Sequence, residues 1–302
     1  MGRFDIRGST ALVTGGNTGI GRETAVGLAR LGARVVFTSR DAERGRAALR
    51  DVRRRSGRDD VQMLELDLAS LASVRAFAAA FLARFDRLHV LVNNAGVAGF
   101  TGRQETEDGF ERMFGVNHLG HFLLTQLLLD RIRESAPARI VNLSSEGYRY
   151  AAEGLPWDDL QSTRDYQGSL CYGRSKLANL YFTAELARRL AGTGVAVNAV
   201  HPGFVATELG RMRPEDVERA KRTGSGKPSE RSAPDLSHLP PPKRPEDGAL
   251  TSIQLASSPE VEGVTGEYWV DGQIARLKSF ARDAAAARRL WEASEKLVAG
   301  VG

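Results

Sequence analysis

The chain has one cysteine, Cys171, in 302 residues. That excludes an intrachain disulfide and any metal or cluster site built on several thiolates, and it suits a reducing compartment. Long apolar runs are also missing. No stretch reaches the ~18 residues of a membrane span, and the richest, Leu119–Leu129, is broken by His121, Thr125 and Gln126. The opening residues, Met1-Gly2-Arg3-Phe4-Asp5-Ile6-Arg7, hold no apolar signal region. The expectation is a cytoplasmic protein without a membrane span. Charge of one sign is scarce as well: Lys+Arg 42 against Asp+Glu 37 leaves +5. So mild an excess points to nucleic acid or to an anionic cofactor. The densest basic cluster, Arg50, Arg53, Arg54, Arg55 and Arg58, has Asp51, Asp59 and Asp60 among it. It reads as a solvated helix face. No zinc-finger, RNP or basic-zipper pattern accompanies it, so no nucleic-acid partner is expected.

What is present is ordinary globular usage, 42% hydrophobic and 26% charged, in a chain long enough to bury a core without staples. Short apolar runs alternate with helical patterns. Thr10–Thr14, Arg34–Thr38, Val61–Leu66, Val90–Val92, Arg139–Leu143, Val195–Val200 and Tyr268–Val270 read as strands. Gly19–Leu31, Ala42–Arg54, Leu71–Phe85, Phe110–Leu129, Tyr172–Leu190 and Ala249–Ala256 read as helices. A terminal helix, Arg282–Val298, would turn Ala286, Leu290, Trp291 and Leu297 toward the body. Apolar strands between helices give a parallel sheet covered on both faces. The predicted fold class is α/β, a single-domain doubly wound Rossmann fold over residues 1–302 with a mainly parallel seven-stranded sheet. One stretch breaks the pattern. Arg211–Glu246 holds seven of the eleven prolines, which deny it a long core element. With the residues from 205 onward it reads as a lid or loop over substrate.

Thr14-Gly15-Gly16-Asn17-Thr18-Gly19-Ile20-Gly21 follows a strand and opens a helix. Glycines there permit a tight turn and close approach to a pyrophosphate, and the helix N-terminus offers N–H groups and a partial positive charge. No Gly-Lys-Ser/Thr follows, so this is not a P-loop. At the end of the second strand an acid would hold a ribose 2′-hydroxyl, whereas arginine accommodates a 2′-phosphate. Here Ser39 and Arg40 stand there, with Asp41 next as a helix cap. NADP(H) is expected over NAD(H).

Tyr172 and Lys176 are four residues apart on one helical face. An ammonium ~4 Å from a phenol, at an effective dielectric of ~20, is worth about 4 kcal/mol, a ceiling of roughly three pKa units. That would bring the tyrosine toward working pH as an acid–base group. The strand Ile140–Leu143 ends in Ser144-Ser145, and Val92 leads into Asn93-Asn94-Ala95-Gly96, both at the sheet edge where α/β proteins bind ligands. Asn117 lies in the long helix. His118, His121 and His201 have no ligand partner at useful spacing, so no metal is expected, and Cys171 reads as a packing residue.

Glycine-rich turn, Asn-Asn-Ala-Gly, helical asparagine, serine and Tyr-x-x-x-Lys, in this order, resemble the short-chain dehydrogenase/reductase family over nearly the whole chain. Further stretches, Tyr172-Gly173-Arg174-Ser175-Lys176-Leu177-Ala178-Asn179, His201-Pro202-Gly203, Ser258–Gly266 and Arg288-Arg289-Leu290-Trp291, are similar to its retinol dehydrogenase-like branch. The resemblance implies that Tyr172 moves a proton to or from the substrate oxygen, that Ser145 holds this oxygen, and that Lys176 lowers the tyrosine's pKa and bonds the nicotinamide ribose. It implies that Asn117 positions a water for Lys176. Asp67 and Leu68 would meet the adenine, Asn94 and Gly96 would line the adenosine side, and Pro202, Gly203, Val205 and Thr207 the nicotinamide side. The reaction implied is NADP(H)-dependent interconversion of an alcohol with a ketone or aldehyde, on a small-molecule substrate. A catalytically idle NADP-binding sensor or scaffold is the alternative, and an incomplete Asn–Ser–Tyr–Lys set would favour it.

Three departures stand out. Ser145 and Tyr172 are separated by an insert, residues 146–170, that could wall the pocket or obstruct pairing through the long helices; the oligomeric state stays open. Between Glu208 and Glu246 there are nine Lys/Arg and seven Asp/Glu, where membrane retinol dehydrogenases carry an apolar segment. That argues against a retinoid substrate. Pro202-Gly203 leads to Phe204, not to the cysteine of the protochlorophyllide reductases, which argues against light-driven ring reduction.

Overall fold

The computed structural model describes residues 4–99, 102–207, 209 and 241–301. Most of the proline-rich stretch, residues 210–240, lies outside the described residues, and so does its assignment as a lid.

Seven strands run parallel in the order β3-β2-β1-β4-β5-β6-β7. They are β1 (Thr10–Val13), β2 (Arg34–Ser39), β3 (Gln62–Glu65), β4 (Val90–Asn93), β5 (Ala138–Leu143), β6 (Val195–His201) and β7 (Tyr268–Val270). An eighth, β8 (Gln273–Ile274), pairs antiparallel with β7. The expected count of seven is therefore one short. The missed signal is Asp271-Gly272, both at positive φ (49° and 76°), a dipeptide suited to a tight hairpin. Only two residues pair beyond it, too few to show an alternating pattern.

Strand residues alternate between two cores. Leu12, Leu91 and Ile140 face one, with α3 (Leu71–Arg84), α5 (Gly120–Glu134), α6 (Gly168–Arg189) and the terminal α8 (Ala284–Ala299). Ala11, Val13, Val90, Val92 and Val141 face the other, with α1 (Gly19–Arg30), α2 (Ala42–Ser56) and α7 (Pro245–Ser257). Every residue of β1, β4 and β5 is buried, as a two-sided parallel sheet requires. The basic cluster of α2 is laced with acids: Arg54 pairs with Asp51, Arg55 with Glu23 and Asp51, and Arg58 with Asp60.

The long helix predicted over Phe110–Leu129 is not one regular helix. Glu111 caps its start, its carboxylate accepting from the N–H groups of Met113 and Phe114 at 2.9 and 2.7 Å. A single turn, α4 (Arg112–Phe114), passes into a π-helical turn over Gly115–Leu119 and then into α5. The terminal helix turns the predicted face to the body: Leu290 and Trp291 are buried and Ala286 and Leu297 pack partly buried against the core, with Ala287, Ser294 and Val298 buried beside them. The insert opens as a 3-10 helix, Glu146–Ala151, packed on α6. Farther on it is pinned: Gln161 accepts from the Glu111 N–H (2.8 Å) and the Arg103 guanidinium (2.9 Å). Among the described residues no helix is long and apolar enough to cross a membrane.

Candidate active site

Neighbours of β1 leave it in opposite chain directions, β2 on one side and β4 on the other. Such a reversal opens a crevice at the carboxyl ends of the strands. A cleft of about 420 Å³ lies there. Sheet order puts the β2–α2 corner on one flank and the ends of β5 and β6 on the other.

The glycine turn forms its floor. Gly15, Asn17, Thr18, Gly19, Ile20 and Gly21 all line the cleft. Gly15 and Gly19 have φ of 64° and 52°, which favours glycine. A Cβ on Gly21 would lie 2.3 Å from Asn94 Nδ2 and 2.4 Å from the Gly15 carbonyl oxygen, so no side chain fits. Thr18 at the N-cap of α1 makes no side-chain cap bond, and the first turn carries no acid. An uncapped helix N-terminus lined by small residues suits an anion such as a pyrophosphate.

On the first flank, Ser39, Arg40, Asp67 and Leu68 line the cleft. The Ser39 hydroxyl donates to the Asp41 carbonyl at 2.7 Å, and Asp41 Oδ1 caps α2 by accepting from the Arg44 N–H at 2.9 Å. That cap sets Arg44 on the first turn, where it too lines the cleft. Sequence reading missed Arg44. Its signal was the cap itself, which fixes where the helix starts and hence which side chains face the strand end. Asp67 Oδ1 accepts from the Ala69 N–H at 2.9 Å.

On the second flank, Asn94, Gly96, Tyr172, Lys176, Pro202 and Thr207 line the cleft. Thr207 reaches across to the glycine turn: a Cβ on Gly19 would sit 3.3 Å from its methyl group. Gly203 and Val205 are not among the lining residues. Gly203 turns the chain at φ 91°, and Val205 pairs with Lys243 as an isolated bridge and packs over Gly248.

The chemical groups meet at Gly147. A Cβ there would lie 2.9 Å from Tyr172 Cε1 and 3.4 Å from Ser145 Oγ. Its absence leaves room for both hydroxyls, and Ser145 hydrogen-bonds Tyr172. Ser145 also accepts from the Gly147 N–H at 3.1 Å. Lys176 Nζ lies 5.6 Å from the centre of the Tyr172 ring and donates to the Leu143 carbonyl at 3.3 Å. Burial pushes Lys176 down to about 8. Burial also raises Tyr172, with the Ser145 hydrogen bond opposing. The sequence estimate, which had the ammonium lower the phenol, is corrected here. It counted one attraction and left out desolvation, which acts on both groups.

Asn117 is fully buried and absent from the cleft lining. Its Oδ1 accepts from the Val97 N–H (2.8 Å), and its Nδ2 donates to the Val97 carbonyl and to Ser175 Oγ (3.0 Å each). Ser175 Oγ bonds the Tyr172 carbonyl at 2.8 Å. The asparagine thus anchors the Gly96–Val97 floor to the helix that carries Tyr172. Cys171 is buried beside Met113, and burial raises its thiol. Among the described residues no group of three or more His, Cys, Asp or Glu side chains could hold a metal ion.

Comparison with known proteins gives a consistent picture. The short chain dehydrogenase profile matches residues 9–157 and 160–218. The chain is similar to retinol dehydrogenase 14 of Homo sapiens, 47% identical over 97% of this chain and 87% of that protein. It is also similar to human retinol dehydrogenase 13, at 46% identity over 97% and 85%. Among solved structures, a Mycobacterium paratuberculosis protein superposes with a TM-score of 0.73 at 32% identity, covering 98% of this chain and 96% of that one. The Pseudomonas aeruginosa RhlG/NADP active-site complex gives 0.64 at 29%, covering 93% and 100%. The chain belongs to the short-chain dehydrogenase family.

Proposed function

We propose that this protein is an NADP(H)-dependent oxidoreductase that interconverts a primary or secondary alcohol with an aldehyde or ketone. One observation carries the reading. A single cleft is lined by Tyr172 and Lys176 on one flank and by two guanidinium groups, Arg40 and Arg44, on the other, with an uncapped glycine turn between; Ser145 is not among the lining residues but hydrogen-bonds Tyr172. The relatives' names, retinol dehydrogenases, describe alcohol oxidation, and RhlG was solved with NADP.

The bound cofactor would supply or accept the hydride. The glycine turn would hold its pyrophosphate, Arg40 and Arg44 its 2′-phosphate, and Asp67 and Leu68 would lie along the adenine. In reduction, Ser145 Oγ donates a hydrogen bond to the substrate oxygen while Tyr172 gives it a proton. In oxidation, Tyr172 takes the proton back. Lys176, charged below about pH 8, offsets the phenolate that forms. Two donors aimed at an oxygen that gains charge are the common device for stabilising such a transition state. Asn117 holds the floor and the Tyr172 turn in register. The test is NADPH oxidation followed at 340 nm across a carbonyl panel that includes all-trans-retinal. Turnover with at least one carbonyl is expected. No turnover with any, despite tight NADPH binding, would favour the idle binding protein.

A further inference from the structure

His121 is buried at 2% exposure, one turn beyond Asn117. Its Nδ1 lies 3.1 Å from the Asn117 carbonyl oxygen and its Nε2 lies 2.8 Å from Thr14 Oγ1. A carbonyl can only accept, so Nδ1 carries the proton, Nε2 accepts, and the Thr14 hydroxyl donates. The Thr14 oxygen in turn accepts from the N–H groups of Asn94 and Ala95 at 2.9 and 3.0 Å. One neutral imidazole therefore ties together the end of β1, the end of β4 and the π-turn. Each of these carries a residue of the candidate site: Gly15, Gly96 and Asn117.

The π-turn gives this bond its purpose. A π-turn breaks the i to i+4 ladder, and here the Gly120 N–H closes on the Gly115 carbonyl. A carbonyl in such a turn is less firmly fixed by its own helix, and His121 supplies a side-chain donor to that of Asn117. Asn117 shares the space at Gly96 with Lys176: a Cβ there would lie 3.3 Å from Asn117 Oδ1 and 3.6 Å from Lys176 Nζ. Through Ser175, Asn117 is also linked to the Tyr172 carbonyl. A shift of Asn117 is thus felt at the floor of the cleft and at the turn that carries the acid–base group. Burial pushes the His121 imidazole down to about 4, with the Lys176 charge adding to the effect, so this arrangement holds at any working pH.

We infer that His121 is a positioning residue for the reaction proposed above: it fixes the Asn117 carbonyl against the Thr14–Gly15 turn, and so keeps Asn117, Lys176 and Tyr172 in register. The inference rests on that functional reading. Three variants separate its parts. His121→Phe removes both bonds, His121→Asn keeps a donor near the Nδ1 position, and His121→Gln keeps an acceptor toward Thr14. The experiment measures kcat, KM for NADPH and thermal midpoint, with all-trans-retinal and 4-nitrobenzaldehyde as probe carbonyls. His121→Phe is expected to lose roughly ten- to a hundred-fold in kcat, the scale of an ångström-sized misplacement, with KM for NADPH within about three-fold. His121→Asn should recover most of kcat and His121→Gln little. Retention of parental kcat by His121→Phe overturns the inference. So does a joint fall of kcat, NADPH affinity and thermal midpoint that His121→Gln repairs as well as His121→Asn. If the parent reduces neither probe, the functional reading fails for these substrates, and the histidine ¹⁵N spectrum of the parent with NADPH decides the placement of His121. A neutral Nδ1–H imidazole at pH 7 is expected, and an Nε2–H tautomer contradicts it.

Discussion

At the level of single residues, the site is set by what burial does to two ionisable groups. Tyr172 is raised by desolvation, so in the proposed reduction it would enter as a protonated acid. Tyr172→Phe keeps the ring and removes the proton. It should lose at least ~100-fold in turnover, the low end for general acid–base catalysis, while NADPH titration stays near parental. Retained turnover would remove Tyr172 from the mechanism. Lys176 makes a sharper case. Its pKa falls from the ordinary lysine value of 10.5 to about 8 on burial, so holding it charged works against folding. The folded state binds fewer protons than the unfolded one between these values, and stability therefore rises as pH climbs from about 8 to 10.5. Below pH 8 the full cost, roughly 3 kcal/mol, is present. Lys176→Met should abolish turnover yet raise the urea midpoint at pH 7, with the gain gone above about pH 10.5. The Leu143 carbonyl keeps a partner in the variant, since Asn179 Nδ2 donates to it at 3.0 Å. A variant less stable than the parent at pH 7 would contradict this. That Tyr172, Lys176 and Ser145 lie near one another was legible because helix spacing and strand ends set their placement. Their ionisation was not, because desolvation depends on neighbours that spacing does not reveal.

Elements explain how distant residues come to share one cleft. β2 ends in Ser39, and the Asp41 cap starts α2 so that Arg40 and Arg44 both face the cleft. A 2′-phosphate there would gain charge-assisted contacts worth about 1.5–3 kcal/mol each. NADPH should bind more tightly than NADH. Arg40→Ala should narrow the ratio and Arg40→Ala/Arg44→Ala should narrow it further. Equal affinity of the parent for both cofactors, measured by fluorescence titration, would refute the assignment. The β2 end was legible as strand, serine, arginine and cap. The π-turn was not: Gly115-Val116-Asn117-His118-Leu119 carries the same apolar spacing as an ordinary helix. What distinguishes it is tertiary, Asn117 bonded to Val97 and Ser175 and His121 bonded to Thr14. A chain read one residue at a time shows neither.

For the molecule as a whole, a parallel sheet with both covering layers followed from apolar runs alternating with helical patterns, because a parallel strand is buried on two faces wherever it sits; the strand order was not legible there and comes from the structure. The terminal helix was placed with its body-facing side, but the burial of Ser294 on that side was not legible, since a serine looks solvent-facing until its partner is known. That partner is His118. Its Nε2 lies 2.8 Å from Ser294 Oγ, and its ring sits 5.2 Å from Phe114 and 5.9 Å from both Phe122 and Phe182. Trp291 closes the same cluster against Phe122 and Phe182. The histidine thus joins α4, α5, α6 and α8, which cover one face of the sheet. Burial pushes it down to about 3, and His121 one turn along to about 4. Both are neutral when folded and titrate near 6.5 when unfolded. Below 6.5 the unfolded state binds more protons, so stability is fully present above that pH and is lost as pH falls toward 4. By pH 5 the two histidines together cost roughly 4 kcal/mol, a large part of a typical domain's 5–15 kcal/mol. The urea midpoint should therefore drop steeply between pH 6.5 and 5. Carboxylates also titrate toward the acid end, so the decisive comparison is with His118→Phe. Aromatic neighbours can receive that ring, although the Ser294 hydroxyl loses its partner and the variant should start out weaker at pH 7. Its midpoint should nevertheless fall less steeply than the parent's over this range, while His89, His201 and the carboxylates keep their share of the slope. A variant that keeps the parental slope would show that His118 is not what makes this fold acid-labile.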